Sequence, residues 1–415
     1  MSAEIPERNI VIIGGGIIGS TTAYFLIRHS LFSISRHSVT ILESQSIASA
    51  ASGKAGGLLA LWAYPSNIVP LSYKLHAELA AQHDGAKRWG YRTLNCGSMT
   101  AKGRVYECTS TDNRKIEEPR GKWQSLPKLD QNTRPNRAAR GVPEDLDWFD
   151  ADAVIGYSSM GDPSTTAQVH PYLFTTSMAD LAVDAGAKVV FGTATALDYT
   201  GPHGIKTVTY EEKDTKKIHT IHATDVILAA GPWTSHIFPG APIVSSRAHS
   251  VVVKADVSPH AIFSEIELPE DFGKKERLRH QWHDNMASPE LYPRPDGTVY
   301  ICGGLDQLLP LPKTSNLVQC DLDRCQDIID NISTISTPMR NGEVLVRQAC
   351  YLPSVEGGGG PLIGETGIKG IYMATGHTCW GIQNSCATGK LMSEIIFDGK
   401  AKSANIESLD PRKFL

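Results

Sequence analysis

Apolar and polar positions near the start of the chain follow the periods of strand and helix in turn. A β-branched run at residues 10–13 is typical of a strand buried on both faces, and it stops at three glycines that begin with Gly14. Apolar residues at three-and-four spacing then predict a helix over residues 20–30, and residues 39–42 predict a second strand. The order of strand, glycine turn, helix and strand predicts a βαβ unit.

The same alternation continues through the rest of the chain. The predicted helices span residues 70–85, 169–186, 321–332 and 385–397, and the predicted strands span residues 188–191, 208–210, 220–223, 225–231 and 370–374. Strand-like runs separated by loops between residues 245 and 350 predict an antiparallel second lobe. The fold class that we expect is therefore α/β, with a Rossmann-type nucleotide-binding domain and a second, antiparallel-sheet domain.

One segment, residues 112–140, shows no period. It holds eight basic and four acidic residues, several Pro and Gly, and a single tryptophan, Trp123. Surfaces that bind nucleic acid combine basic residues with interleaved aromatic rings. This composition therefore favours a solvated basic excursion over a nucleic-acid patch.

Composition narrows the classes of partner. The 415 residues are 41% apolar and 20% charged, which is typical of a globular chain and excludes fibrous and low-complexity classes. A net charge of −4 provides no global positive field for nucleic acid, so small molecules are the expected partners. No apolar run reaches the roughly 20 residues that span a bilayer, and the eight cysteines form no CxxC pair. We expect a cytoplasmic protein with reduced thiols and no integral membrane segment.

The glycine turn carries a dinucleotide fingerprint, Gly14-x-Gly16-x-x-Gly19, between a predicted strand and a predicted helix. The first glycine permits the tight turn, the second admits the pyrophosphate, and the third lets helix and strand pack closely. Glu43 ends the second strand, where its carboxylate is placed to accept hydrogen bonds from ribose hydroxyls and to repel a 2′-phosphate. FAD and NAD both satisfy this fingerprint, and NADP is disfavoured.

Three later segments point to a larger ligand. Residues 46–57 are small and rich in hydroxyls, so they can pass close under a planar cofactor, although a flexible loop has the same composition. Residues 228–233 and 374–382 each join a strand end to glycines. Four such segments imply one extended ligand that crosses the carboxyl edge of a sheet.

These segments, in this order, resemble the FAD-dependent D-amino-acid oxidase superfamily, with the glycine oxidase and sarcosine oxidase branch nearest. The resemblance also includes Gln168-Val169-His170-Pro171 and covers nearly the whole chain, with the basic excursion as a departure. Residues 54–60 and 87–92 look most like a fungal subgroup of FAD oxidoreductases whose yeast member is linked to endosomal trafficking.

The resemblance implies two lobes. A discontinuous FAD-binding domain would comprise residues 1–96, 165–245 and 352–415. A substrate domain, whose antiparallel sheet roofs the flavin, would comprise residues 97–164 and 246–351. The basic excursion falls within the substrate domain.

The resemblance also implies a reaction. Family members remove a hydride from the carbon beside an amine nitrogen, pass it to the flavin and commonly return the electrons to oxygen as hydrogen peroxide. We expect such oxidation of an amine or amino acid. The alternative is a flavin-containing regulatory or trafficking protein, peripheral to endosomes, in which FAD is mainly structural. An NAD-linked dehydrogenase is a third hypothesis.

The FAD contacts that we predict lie in the turn, at the end of the second strand, in the small-residue segment and at the later strand ends. They are Gly14, Gly16, Ile17, Ile18, Gly19, Glu43, Ser44, Ser52, Gly53, Lys54, Ala55, Gly56, Gly57, Leu58, Thr195, Ala229, Ala230, Gly231, Trp233, Cys350, Gly376, His377, Gly381, Ile382 and Gln383.

Two carboxylate-binding positions of the resembling branches are changed. Leu352 stands where glycine oxidase relatives carry an Arg in a Gly-x-Arg-Pro motif, and Gln383 falls where sarcosine oxidases carry a Lys. An amino-acid substrate would need another cation to bind its carboxylate. For each remaining candidate the alternative is a role as a surface or ion-pair residue. The candidate cations are Lys54, Arg294, Arg247 and Arg347.

Three more residues join Lys54 and Arg294 as candidates for the catalytic site: Trp62, His377 and Trp380. The alternative role of His377 is a structural hydrogen bond. The alternative role of both tryptophans is packing in the core. Two histidines and one acid within residues 280–284 fall short of a full ligand set, so we expect no metal.

Cys350 raises the question of a covalent flavin. In sarcosine oxidases a Cys at the matching position is linked to the flavin ring through a thioether, which a thiolate forms by attacking the electrophilic 8α carbon. The altered neighbours Leu352 and Gln383 favour a buried, unlinked cysteine. We therefore expect tight non-covalent FAD, with the thioether as the alternative.

Overall fold

Two large β-sheets organise the chain, seen here in a computed structural model that describes residues 6–104, 140–199, 204–270, 272 and 285–415. Of the predicted basic excursion, only Arg140 falls within the described residues. The segment 280–284 also lies outside them.

The strands are β1 Arg8–Ile13, β2 His37–Glu43, β3 Leu58–Ala60, β4 Arg92–Thr93, β5 Asn95–Lys102, β6 Val154–Gly161, β7 Thr166–Gln168, β8 Lys188–Asp198, β9 Thr207–Glu212, β10 Ile218–His222, β11 Asp225–Leu228, β12 Ile243–Lys254, β13 His260–Glu267, β14 Met286–Ala287, β15 Glu290–Pro293, β16 Thr298–Asp306, β17 Val344–Val355, β18 Leu362–Glu365 and β19 Ile371–Thr375. The α-helices are α1 Ile17–Ile27, α2 Ala51–Lys54, α3 Val69–Gln82, α4 Gly85–Trp89, α5 Pro171–Asp184, α6 Thr234–Ile237, α7 Leu322–Ser333, α8 Thr337–Asn341 and α9 Gly381–Asp398.

Five parallel strands, in the order β8-β2-β1-β11-β19, form the centre of the first sheet. The antiparallel hairpin β9-β10 extends it beside β8, and antiparallel β18 lies beside β19. Ile10 and Ile12 pack into a core with α1, α5 and α9, whereas Val11 and Ile13 pack into a second core on the opposite face. Burial on both faces explains the unbroken apolar run in β1.

The second sheet has the order β17-β12-β16-β15-β13-β5-β6, with β14 beside β13. Its neighbouring strands are antiparallel except for β13 and β5, which are parallel. Leu291 and Ile301 pack on one face with residues of α7. Tyr292 and Tyr300 pack on the other face, with Leu58 of β3. A small third sheet, β3-β7-β4, thus contacts the second sheet through β3.

Helices α1 and α9 cross with their backbones in contact. A Cβ added at Gly389 would lie 2.7 Å from the carbonyl carbon and oxygen of Thr21. Thr21 Oγ1 donates to the carbonyl oxygen of Ser385 at 3.0 Å, so the hydroxyl buried in this crossing is satisfied. The absence of a side chain at Gly389 therefore sets the distance between the two helices.

The predicted elements are present, with shifted ends. Helix α1 begins at Ile17 and α9 at Gly381, three and four residues before the predicted starts. The first turn of α1 is buried on all sides, so the amphipathic spacing used for the prediction is missing there. Helix α5 begins at Pro171, because proline fits the first helical turn, where no amide partner is needed. The predicted domain boundaries stay a prediction.

Every helix in the described part of the chain is too short or too polar to span a membrane.

We expect Gly389→Ala to lower the free energy of unfolding by roughly 1–3 kcal/mol, the cost of overpacking. The new methyl group would meet Thr21 backbone, and this cost opposes the higher helix propensity of Ala. Urea denaturation measures it. The matched control is Gly156→Ala, whose Cβ meets no heavy atom within 4 Å. Equal stability of the two variants would contradict the close helix crossing.

Candidate functional site

A cavity of about 330 Å³ lies at the carboxyl edge of the parallel strands in the first sheet. Its wall includes Gly14 after β1, Glu43 at the end of β2, Ala229 after β11 and Thr375 at the end of β19. Open α/β sheets bind their ligands at this edge. Four strand ends from distant parts of the sequence therefore meet around one cavity.

The three fingerprint glycines meet different surroundings. Gly14 has a φ of +113°, and a Cβ there would lie 2.4 Å from the carbonyl oxygen of Ala229. A Cβ at Gly19 would lie 2.0 Å from the carbonyl oxygen of Gly14. At Gly16 the nearest atom would be Ser52 Oγ, at 3.0 Å. Packing thus requires glycine at Gly14 and Gly19, whereas at Gly16 the missing side chain leaves room in the cavity wall.

Glu43 fixes the glycine turn to the end of β2. Its Oε2 accepts the backbone N–H of Gly15 at 2.7 Å, and its Oε1 accepts the backbone N–H of Gln45 at 2.8 Å. The carboxylate is buried and lines the cavity. Hydrogen bonds to a charged acceptor are the stronger kind, so Glu43 holds the turn in shape before any ribose is present.

Ser52 completes the start of α1. Its Oγ accepts the backbone N–H of Ile17 at 2.9 Å, which satisfies one of the free amides at the helix N-terminus. Both residues line the cavity. The small-residue segment predicted to pass under a cofactor therefore lies against the helix end that favours an anion.

His377 forms part of the cavity wall beside α9. Its Nε2 lies 2.9 Å from Thr388 Oγ1, and the side chain is buried. Burial lowers the pKa of His377 to about 3, so the imidazole is neutral near pH 7. A neutral ring that shares a hydrogen bond with Thr388 is suited to positioning, and it supplies no cation for a carboxylate.

Many predicted contacts line the cavity. They are Gly14, Gly16, Ile17, Ile18, Glu43, Ser44, Ser52, Ala55, Ala229, Ala230, Gly231, Trp233, His377, Gly381 and Ile382. Other predicted residues are absent from its lining. They are Gly19, Gly53, Lys54, Gly56, Gly57, Leu58, Trp62, Thr195, Arg294, Cys350, Gly376, Trp380 and Gln383, all within the described chain.

Strand β8 reaches the cavity through residues other than Thr195. Gly192, Thr193 and Ala194 line it, while Thr195 Oγ1 donates to the carbonyl oxygen of Thr209 at 3.2 Å. The pairing of β8 with β9 shifts register between Ala194 and Ala196. This irregularity turns the Thr195 hydroxyl toward β9, and strand alternation in the sequence does not reveal it.

Lys54 and Arg294 each donate a hydrogen bond to a backbone oxygen, and neither side chain lines the cavity. Lys54 Nζ donates to the carbonyl oxygen of Ala349 at 3.0 Å, and Arg294 Nη2 donates to that of Ala55 at 3.3 Å. The Arg294 guanidinium carbon also lies 5.4 Å from the centre of the Tyr300 ring. Burial lowers the pKa of Arg294, and the structure places neither cation in the lining.

The loop after β16 contributes residues that the sequence did not single out. Lys313 and Ser315 line the cavity, and Ser315 Oγ lies 2.8 Å from Ser49 Oγ. Trp233 Nε1 donates to the carbonyl oxygen of Pro312 at 2.6 Å. In the sequence this loop follows β16, a strand of the second sheet. No local sequence pattern could therefore have indicated that the loop lies beside the glycine-rich segments.

Cys350 lies on β17 as a buried thiol. Burial raises its pKa to about 11, although the Lys54 charge opposes the shift. This shift favours the protonated thiol at pH 7, and the thiolate is the nucleophile in thioether formation. An unlinked cysteine therefore stays our prediction.

The arrangement defines a class of protein. A glycine turn below a helix N-terminus, a carboxylate at the end of the second strand and a long cavity along four strand ends fit an adenine dinucleotide. The second sheet, facing the same loops, is typical of flavin-dependent oxidoreductases of two lobes.

The chain belongs to the FAD dependent oxidoreductase family (DAO), whose profile matches residues 9–395. It is an FAD-dependent oxidoreductase. A Saccharomyces cerevisiae relative, "Putative oxidoreductase TDA3", is 34% identical, covering 98% of this chain and 95% of its own. A Schizosaccharomyces pombe relative of the same description, C1F5.03c, is 36% identical, covering 98% of both chains.

Solved structures share the fold at low identity. Glycine oxidase from Bacillus cereus has a TM-score of 0.68 and 20% identity, covering 99% of this chain and 100% of its own. L-proline dehydrogenase from P. horikoshii has a TM-score of 0.67 and 18% identity, covering 99% and 98%. Iminodiacetate oxidase from Chelativorans sp. BNC1 has a TM-score of 0.65 and 15% identity, covering 97% and 98%.

We expect Gly16→Ala to weaken FAD binding at least tenfold, or about 1.4 kcal/mol, while the apoprotein keeps its melting temperature. The added methyl group meets only the movable Ser52 side chain at 3.0 Å and enters the space left for a ligand. Flavin fluorescence quenching measures the affinity. Gly19→Ala is the matched control and should instead lower the melting temperature, since its Cβ would meet backbone at 2.0 Å. Unchanged FAD affinity in Gly16→Ala would contradict the assignment of Gly16 to cofactor binding and of Gly19 to packing.

We also expect FAD to leave the protein on acid precipitation. The supernatant should be yellow, and the pellet should have the mass of the apoprotein, because the Cys350 thiol is protonated at neutral pH. A yellow pellet whose added mass disappears in Cys350→Ala would overturn this expectation.

Proposed function

We propose that the protein oxidises the C–N bond of an amine or amino acid, with oxygen as the electron acceptor and hydrogen peroxide as a product. The observation that carries the proposal is the position of the second sheet, whose face bearing Tyr292 and Tyr300 packs with Trp380, next to the cavity-lining residues of α9. Bound FAD supplies the hydride acceptor. On this proposal a small molecule would lie beside the flavin, between this face of the sheet and the cavity.

The names of the structural neighbours support the reaction class. Glycine oxidase, L-proline dehydrogenase, iminodiacetate oxidase and L-amino acid deaminase from Proteus vulgaris all act on compounds that contain a C–N bond. Such a reaction needs no side-chain nucleophile, and the neutral imidazole of His377 is consistent with a positioning role.

The aromatic residues beside the cavity would make part of the site apolar. Trp62 and Trp380 contact edge to face with ring centres 5.5 Å apart, and Tyr64 lies 5.9 Å from Trp380. Trp380 is half-buried, whereas Trp62 and Tyr64 are exposed, so these rings would shield only one side of a bound amine from water. A low dielectric favours the neutral amine over the ammonium ion, and the neutral amine is the form that gives up hydride.

A second candidate is a flavin-containing regulatory protein in which FAD is mainly structural. It is favoured by Leu352, which lines the cavity where glycine oxidase relatives carry a carboxylate-binding Arg. Anaerobic bleaching of the flavin by a panel of amines and amino acids separates the two hypotheses.

We expect at least one member of an amine and amino-acid panel to bleach the flavin absorbance at about 450 nm under anaerobic conditions. Admitting oxygen should restore the absorbance and release one equivalent of peroxide per bleached flavin, measured by a peroxidase-coupled assay. Bleaching without fast recovery would refute oxygen as the acceptor. A panel that leaves the fully loaded protein yellow would refute amine oxidation and favour the regulatory hypothesis.

A further inference from the structure

Two cysteines flank the N-cap of helix α7. Cys320 precedes the N-cap residue Asp321, whose carboxylate accepts the backbone N–H groups of Asp323 and Arg324 at 3.1 and 3.4 Å. Cys325 is the fourth helical residue. Chains that enter a helix often carry two apolar side chains at these positions, where they pack together and fix the direction of entry. In this chain both positions carry a thiol.

The two sulfur atoms are in contact. Cys320 Sγ lies 3.5 Å from Cys325 Sγ, and both thiols are free. In the part of the chain that the structure describes, no other two cysteines form a hydrogen bond with each other. The sulfurs of a disulfide are about 2.05 Å apart, so roughly 1.5 Å separates this contact from a covalent bond.

The backbone on both sides of Cys320 is fixed to β12. The carbonyl oxygen of Gln319 accepts from Arg247 Nη1 at 3.0 Å, and the backbone N–H of Asp321 donates to His249 Nε2 at 3.1 Å. Burial lowers the pKa of His249 to about 4, so near pH 7 the ring is neutral and its Nε2 can accept. The contact between the two thiols is therefore part of an ordered structure at the start of α7.

The two thiols differ in their access to solvent. Cys325 is buried in the core between α7 and the second sheet, together with Ile328, Ile329 and Ile332. Cys320 is half-buried and packs against the border of that core. Burial raises the pKa of Cys325, and the neighbouring Cys320 raises it further. A reagent from solvent therefore meets Cys320 first, while Cys325 lies beside it as a protonated thiol.

Cys320 lies at the end of the loop that follows β16. Lys313 and Ser315 of this loop line the cavity, and the carbonyl oxygen of Pro312 accepts from the Trp233 indole at 2.6 Å. A bond between Cys320 and α7 would join this loop covalently to the helix. Such a bond would fix one end of a loop that forms part of the cavity wall.

We propose that Cys320 and Cys325 form a redox site at which a peroxide converts the two thiols into a disulfide. The inference goes beyond the proposed function. Hydrogen peroxide is the product of that proposed reaction, but the chemistry of the thiol pair is the same when the peroxide comes from elsewhere.

The reaction balances with peroxide as the sole oxidant. The Cys320 thiolate attacks one peroxide oxygen, the O–O bond breaks, and the products are a sulfenic acid and a hydroxide ion, which takes up the proton that Cys320 lost. The Cys325 sulfur then attacks the Cys320 sulfur, the S–O bond breaks, and the hydroxide leaves with the Cys325 proton as water. Two thiols and one hydrogen peroxide thus give one disulfide and two water molecules.

The test uses the FAD-loaded protein without an amine substrate, near pH 7. Hydrogen peroxide is added, the remaining thiols are blocked with N-ethylmaleimide, and the denatured protein is digested with trypsin. Trypsin cuts after Lys313, Arg324 and Arg340, so the two cysteines fall in separate peptides, residues 314–324 and 325–340.

We expect mass spectrometry to find these two peptides joined, two hydrogen atoms lighter than their sum, in at least tenfold higher yield than from untreated protein. Dithiothreitol should separate them. Recovery of both peptides unjoined, with maleimide on each cysteine, would overturn the proposal. Irreversible oxidation of Cys320 to a sulfinic acid without the joined peptides would also overturn it.

Single variants assign the two roles. In Cys325→Ser the reaction should stop at the sulfenic acid of Cys320, which dimedone labels on the peptide of residues 314–324. In Cys320→Ser the buried Cys325 should remain a thiol. Dimedone on Cys325 in place of Cys320 would refute the assignment of Cys320 as the residue that meets the peroxide. Where Cys325→Ser does not fold, Cys325→Ala leaves an apolar group in the core and carries the same expectation.

Cys379→Ser is the matched control. Cys379 is an exposed thiol, and among the described residues its sulfur forms no hydrogen bond with another cysteine. The joined peptides should form in this variant to the same extent as in the unaltered protein. Their loss would show that Cys379 relays the oxidation, and it would contradict direct attack of peroxide on the pair.

Failure of this proposal is distinguishable from failure of the proposed function. Peroxide is added directly, so a protein that oxidises no amine still forms the disulfide if the inference is correct. A protein whose flavin is bleached by an amine, but whose two peptides stay unjoined, would retain the proposed function and lose this inference.

Discussion

Backbone-to-backbone contact at the glycine turn is the constraint on which the rest of the first sheet depends. A Cβ at Gly14 would lie 2.4 Å from a carbonyl oxygen, and a Cβ at Gly19 would lie 2.0 Å from one, so neither position has room for a side chain. Gly389 likewise has no room for a side chain between α1 and α9. These contacts fix β1, β11, α1 and α9 at one mutual spacing. That spacing determines where the Ile17 amide and the Glu43 carboxylate meet the cavity.

The nucleotide-binding part of the first sheet was predictable because the residues that form it are neighbours in the sequence. A buried strand, a turn that needs positive φ and a helix start occupy consecutive residues, so the fingerprint indicates their geometry as well as their order. Glu43 and Ser52 were found for the same reason, although the sequence does not show that they bind the Gly15 and Ile17 amides. Helix ends were shifted where all-round burial removed the amphipathic spacing.

The substrate side depends on contacts that no short segment encodes. The irregular pairing of β8 moved Thr195 away from the cavity, and the loop carrying Lys313 and Ser315 reached it from the second sheet. The alternation of Glu290, Leu291 and Tyr292 shows that β15 has two unlike faces. Which face looks toward Trp380 is decided by the pairing of β15 with β13 and β16, and this pairing joins residues far apart in the chain.

The cavity wall draws on residues from Ile13 to Ile382, so a bound dinucleotide holds together nearly the full length of the polypeptide. A ligand that binds only the folded form stabilises it by mass action, by about 2.7 kcal/mol at one hundred times its dissociation constant. Proteases act on the opened chain, and their access falls as that free energy rises. We therefore expect the supply of flavin in a cell to affect the lifetime, and hence the abundance, of this protein as well as the fraction that carries the cofactor.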